Sequence, residues 1–76
     1  MPPLSWESVE LAARAKIARN VRRLRRSRAL SIEAAAGDVL SSRQWQRVES
    51  EEHAITLRTL AKLAVALSVT IPDLLQ

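Results

Sequence analysis

The stretch Ser31–Ser50, SIEAAAGDVLSSRQWQRVES, contains two helix starts and one stop. Ser31 is a capping residue, with Ala34, Ala35 and Ala36 behind it and Gly37 as the stop. Ser41 or Ser42 caps a second helix that reaches about Glu49. Two short helices joined by a turn of about four residues are the layout of a helix-turn-helix, here over residues 31–50. The second of them sets Arg43, Gln46 and Arg47 around Trp45, one of only two aromatic residues in the chain.

Outward from that core the pattern stays helical. The single glycine and the three prolines, at 2, 3 and 72, leave most of the chain free to coil, and no sustained alternation marks a strand. Upstream, Ser5 can cap a helix with Glu7 and Glu10 near its positive end. At 100 degrees per residue, Trp6, Ala13, Ile17, Val21 and Leu24 share one side, which predicts one helix over 6–27. Arg19, Arg22, Arg23 and Arg26 fall on its wet face, with Arg14 and Arg25 at the border. Downstream, SEEH is part of a polar connection. Thr56 caps a helix whose apolar face is Leu57, Leu60, Leu63, Ala64 and Leu67. Thr70 caps a last turn, with Pro72 where a missing N–H costs nothing. The expectation is one all-α domain of five helices over 1–76.

Composition narrows the function. A chain of 76 residues buries only ~60% of its unfolded surface, which leaves no room for a deep catalytic cleft. The absence of cysteine excludes disulfides and thiolate metal sites and fits a cytoplasmic setting. The longest apolar run, Leu63–Leu67, is far short of the ~20 residues of a membrane span, and MPPLSW lacks the pattern of a signal peptide. The net charge of +4 is uneven: RAKIARNVRRLRRSR, residues 14–28, holds eight basic residues and no acid, whereas the remainder holds four basic and eight acidic. Such a block suits phosphate backbones or an anionic membrane surface, or is simply a solvated helix face.

The segments RRLRRSRALS, SSRQWQRVE and TLRTLAKLAVALSVTIPDLL resemble the Xre-type helix-turn-helix family of phage repressors, Cro proteins and small bacterial regulators. Leu30-Ser31, Val48-Glu49, Thr59-Leu60, Leu67 and Asp73-Leu74-Leu75 fall in register with that family. The resemblance covers residues 17–75 and makes 1–16 an N-terminal extension of the first helix. It implies a phage-repressor-type bundle that binds double-stranded DNA with its third helix in the major groove. Ser42, Arg43, Gln46 and Arg47 would then face bases, Arg suiting guanine and Gln adenine. Ser41, Gln44, Arg22, Arg23, Arg26 and Arg58 would hold phosphate. The family also pairs an arginine of the first helix with the glutamate that closes the third, here Arg25 and Glu49, as a partly buried ion pair. The alternative is that this polar face merely meets solvent.

Four departures bear on that transfer. The span between Ala36 and Ser41 is one residue short and lacks the usual glycine, so that Gly37 has to supply the positive φ. Ile32 stands where a DNA-contacting glutamine is usual. Ala35 stands where a core leucine is usual. Glu51 and Glu52 occupy a loop that normally carries glycine and cations. Trp45, in place of a smaller apolar residue, is expected to fill the space beside the alanine-lined helix as core rather than to stack on bases. The acidic loop implies either that phosphate clamping has moved to the first helix, or that DNA binding is weak, partner-dependent or lost.

No catalytic constellation emerges: His53 is the only histidine, nothing positions a triad, and no phosphate-cradling glycine loop is present. No enzyme activity, cofactor or metal is expected. Trp6 either covers the core or belongs to a subunit interface. The leading expectation is a dimeric, sequence-specific transcriptional regulator, cytoplasmic and nucleoid-associated when bound to DNA. The alternative is a protein-interaction module on the same fold, such as an antirepressor or antitoxin-like partner. A basic helix lying on a membrane is disfavoured, because the core needs its apolar face.

Overall fold

Every helix begins where a hydroxyl side chain turns back onto the backbone. In the computed structural model, which describes residues 5–52 and 54–76, Ser5, Ser31, Ser41, Thr56 and Thr70 each accept a hydrogen bond from the N–H three residues on. They cap α1 (Trp6–Ser27), α2 (Ile32–Ala36), α3 (Ser42–Glu49), α4 (Leu57–Leu67) and α5 (Ile71–Leu74). The all-α expectation holds for the described residues, which contain no strand. Of the two serines that could start α3, Ser41 is the cap. The Gln44 side chain returns the bond by accepting from the Ser41 N–H at 3.2 Å, and Asp73 does the same for Thr70 at 2.9 Å. Such reciprocal caps satisfy two orphan donors at once.

The helix ends are less orthodox. α1, α3 and α4 each stop at a residue with positive φ: Ala29 (53°), Glu51 (59°) and Ser68 (55°). The next N–H then reaches a carbonyl five residues earlier, Leu30 to Arg25, Glu52 to Arg47 and Val69 to Ala64. This is the Schellman arrangement, normally built on glycine because a Cβ is strained there. The only glycine instead ends α2, where Gly37 takes φ 52° and ψ −129°. Residues with a Cβ rarely adopt that conformation, so Gly37 supplies the positive φ of the turn as its sequence suggests.

α1 packs against α3, α4 and α5, and α2 bridges α3 and α4. Trp45, Leu63, Leu67, Leu74 and Val21 are the largest fully buried side chains. Ala35 and Ala36 present a thin wall, and Trp45 fills the space beside them as core, with no exposed surface. Leu40, from the turn, also enters the core.

Two apolar positions behave otherwise than the periodicity predicts. Leu57 shares the face of Leu60, Leu63 and Ala64 but is 72% exposed, because α4 starts one turn before it meets its neighbours. Trp6 is 74% exposed, so it does not cover the core. α1 is a single helix of 22 residues, ~33 Å long at 1.5 Å per residue. Its first turns overhang the bundle and stretch the molecule to 43 × 20 × 18 Å. No helix among the described residues is long and apolar enough to cross a membrane. Residues 1–4 and His53 lie outside the described residues, and with them the start of MPPLSW and the loop-histidine reading.

Candidate nucleic-acid interface

The orientation of α3 is set from behind. Its buried side is Trp45, Val48 and Glu49, positions that lie on one face at helical spacing. Glu49 is the fixed point. Arg25 donates to both its oxygens, Nε to Oε2 at 2.6 Å and Nη2 to Oε1 at 2.9 Å. The Trp45 indole N–H donates to the same Oε2 at 2.6 Å. Arg22 adds Nε at 3.6 Å from Oε1, and its Nη2 donates to the Glu49 carbonyl at 2.5 Å. Arg25 uses its remaining Nη1 on the Leu30 carbonyl at 2.9 Å. The Arg25 and Glu49 side chains are only 14% and 7% exposed.

Burial pushes the Glu49 carboxyl up, but it is outweighed. Hydrogen bonds from Arg25 and Trp45, with the charges of Arg25 and Arg22, hold the group below its ordinary range. The carboxylate is therefore charged at neutral pH and fully partnered. The expected Arg25–Glu49 pair is present, and it is larger than the spacing suggests. A bidentate ion pair with an indole donor fixes angle and register together.

With that side locked, the opposite face of α3 points outward. Arg43, Gln44 and Gln46 are exposed, whereas Ser42 and Arg47 are half-buried at its edges. Gln44 and Ser41 are engaged with each other in the capping box. The first turns of α3 and α4 carry no acid, so both positive helix ends are unopposed by local charge. Arg58 is exposed in the first turn of α4. A shallow groove of ≈ 160 Å³ separates α3 from the start of α4, lined by Gln44, Arg47, Val48, Ala54, Ile55 and Thr59.

The cationic block divides into two sets. Four arginines are engaged with carboxylates or carbonyls of the chain, Arg14 and Arg25 with their side chains largely buried and Arg28 on the surface. Arg14 lies 3.6 Å from Glu10, Arg22 and Arg25 hold Glu49, and Arg28 donates to the Leu67 carbonyl at the end of α4. Lys16, Arg19, Arg23 and Arg26 are exposed, with Arg23 also donating to Asn20 at 3.3 Å. Of the three α1 arginines expected at phosphate, Arg22 is thus committed to the carboxyl end of α3, and Arg23 and Arg26 lie on the open face. Glu51 and Glu52 are exposed at the negative end of α3, where the Ser50 hydroxyl lies 3.0 Å from the Glu52 carboxylate. Among the described residues, no group of three or more His, Cys, Asp or Glu is placed to hold a metal ion.

Asn20 is a structural residue that sequence reasoning missed. It is buried, and its amide donates to the carbonyls of Leu74 and Gln76 at 2.9 and 3.1 Å. A lone amide on the stripe of α1, flanked by arginines, was the available signal. Comparison with known proteins adds nothing to this geometry: no family model, curated protein or solved structure matches the chain.

Proposed function

We propose that the chain is a sequence-specific DNA-binding transcriptional regulator of the phage-repressor helix-turn-helix type. In this reading α2 and α3 are the two-helix reader, and α3 enters the major groove. The observation that carries the reading is the two-sidedness of α3. One face is immobilised by Trp45, Glu49 and Arg25, and the other offers Arg43 and Gln46, with Ser42 and Arg47 at its margins. Base recognition needs such rigidity, because a bidentate contact discriminates only if the side chain's root is fixed. Arg58, Arg23 and Arg26 supply charge for phosphate. Ser41 and Gln44 hold the start of α3 in their capping box, which leaves the N–H groups of Ser42 and Arg43 for a phosphate. The protein acts by binding alone, in the cytoplasm, as a homodimer on a two-fold site with half-sites about 34–36 Å apart.

Selection of the purified protein against a randomised duplex library, at two salt concentrations and with Arg43→Ala alongside, tests this. The expected result is a two-fold motif that Arg43→Ala loses at one position, a deficit of about 1–3 kcal/mol there. Sequence-blind retention that vanishes with salt would mean that the arginine block alone is acting.

A second reading is favoured by one observation, the exposed Glu51 and Glu52 beside the outward face. They repel phosphate and suit a protein partner instead. On that reading the fold serves as an interaction module, and the selection returns no motif while a partner protein is retained.

A further inference from the structure

The overhang of α1 leaves a notch. Its walls are Glu10, Ala13, Arg14 and Ile17 of the helix and Ile55 from the end of the bundle, enclosing ≈ 80 Å³. Beyond it the stripe continues to Trp6, which is exposed, with none of the described residues of another helix packed on it. Val9 on the flank is 51% exposed. We propose that this arm is a self-pairing surface, and that a second copy of the chain lays its own α1 antiparallel across it, each Trp6 entering the other's notch.

Self-complementarity in register carries the proposal. In an antiparallel pair related by a two-fold axis, residues on the same flank of the stripe meet on the same side of the seam. Glu7 and Arg14 are seven residues apart and share a flank. The register that seats Trp6 midway between Ala13 and Ile17 of the second copy is also the one that sets Glu7 opposite Arg14. Arg14 is incompletely partnered within the chain. One arm of its guanidinium is 3.6 Å from Glu10, and its buried Nε has no hydrogen-bond partner among the described residues. Of the basic block only Arg14 is brought against an acid in this register, Glu7 of the second copy, so the two symmetry-related Glu7–Arg14 contacts are its whole charge complementarity.

The area is small. Two tryptophans burying about 150–250 Å² each, with Val9 and Ala13, lie at the low end of specific interfaces. The two Glu10 carboxylates also fall nearest the axis, each beside its own Arg14. The dimer is therefore a weak one, in the micromolar range, strengthened when both copies sit on one two-fold ligand. This supplies the contact surface for the homodimer of the proposed regulator, yet self-pairing does not depend on the DNA reading.

Sedimentation equilibrium without DNA tests it, with helicity and melting checked for each variant. The wild-type chain should show a monomer–dimer equilibrium that Trp6→Ala weakens at least tenfold. Glu7→Arg alone and Arg14→Glu alone should each be monomeric where the wild type is half dimeric. Mixed together they should dimerise again, because each copy then offers what the other lacks. A wild-type chain that stays monomeric at millimolar concentration overturns the proposal, as does a dimer indifferent to Trp6→Ala. A mixture that fails to re-form while both variants fold overturns the register. Loss of sequence selectivity with an intact dimer would instead count against the regulator reading.

Discussion

Trp6 and Trp45, the chain's only aromatic residues, occupy opposite situations. Trp45 has no exposed surface, and its N–H is bonded to a carboxylate that two arginines also hold. Trp6 stands on the overhanging end of α1 with three quarters of its surface open. Both satisfy the same apolar periodicity, so periodicity does not separate them. What separates them is whether another helix passes alongside. The carboxyl half of α1 meets α3, α4 and α5, whereas the first turns pack against no other helix among the described residues. The same helix is a structural spine at one end and a free arm at the other.

The comparison can be broken most forcefully at Trp45. Trp45→Ala removes a large buried side chain beside alanines that cannot close the gap, a cost of about 3–5 kcal/mol. Small domains have little more than that in reserve, so urea denaturation should find the variant largely unfolded near ambient temperature. Glu49→Gln is next. It leaves Arg25 and Arg22 without their counter-charge, a loss of about 3 kcal/mol at neutral pH.

The pH profile should identify the cause of that loss. The folded value of Glu49 is lowered from the ordinary 4.5. Its stability contribution is therefore full above that value and fades as pH falls through the folded one. The gap between wild type and Glu49→Gln in melting temperature should close with acid. Part of the wild type's acid limb should survive the substitution. Asp73 is also held low, by the Thr70 backbone N–H and hydroxyl.

A smaller effect, of opposite sign, sharpens the contrast at the end of α1. Ala29 carries positive φ in a Schellman turn, so Ala29→Gly should stabilise the fold by about 0.5–1 kcal/mol and raise the melting temperature by a few degrees. Smallest of all is Trp6→Ala, which should leave the stability of the monomer within about 0.5 kcal/mol. It should also remove the water-like component of tryptophan emission and leave the blue-shifted signal of Trp45.

Much of the fold was legible because its signals are local. Ser5, Ser31, Ser41, Thr56 and Thr70 announce helix starts to their own neighbours, and Gly37 announces a stop. The Arg25–Glu49 pair and the burial of Trp45 were legible through the family resemblance. The duties of the other arginines were not. Arg22 and Arg28 hold carbonyls 27 and 39 residues away, and nothing near them in sequence distinguishes them from Arg23 and Arg26, which stay in solvent. An arginine's role here depends on which helix terminus passes within its reach, a matter of packing. The bond from Trp45 to Glu49 had a signal, since the two lie four residues apart on one helix. Asn20 had only its oddness.

Asn20 also bears on how the chain breathes. α5 is a four-residue helix, too short to persist alone, and the Asn20 amide grips the carbonyl of its last residue, Leu74, across a separation of 54 residues. Leu74 is fully buried in the same place. The last helix therefore has no independent life. It cannot fray without uncovering the centre of α1, and its backbone hydrogens should exchange with solvent at the pace of the whole domain rather than that of a chain terminus.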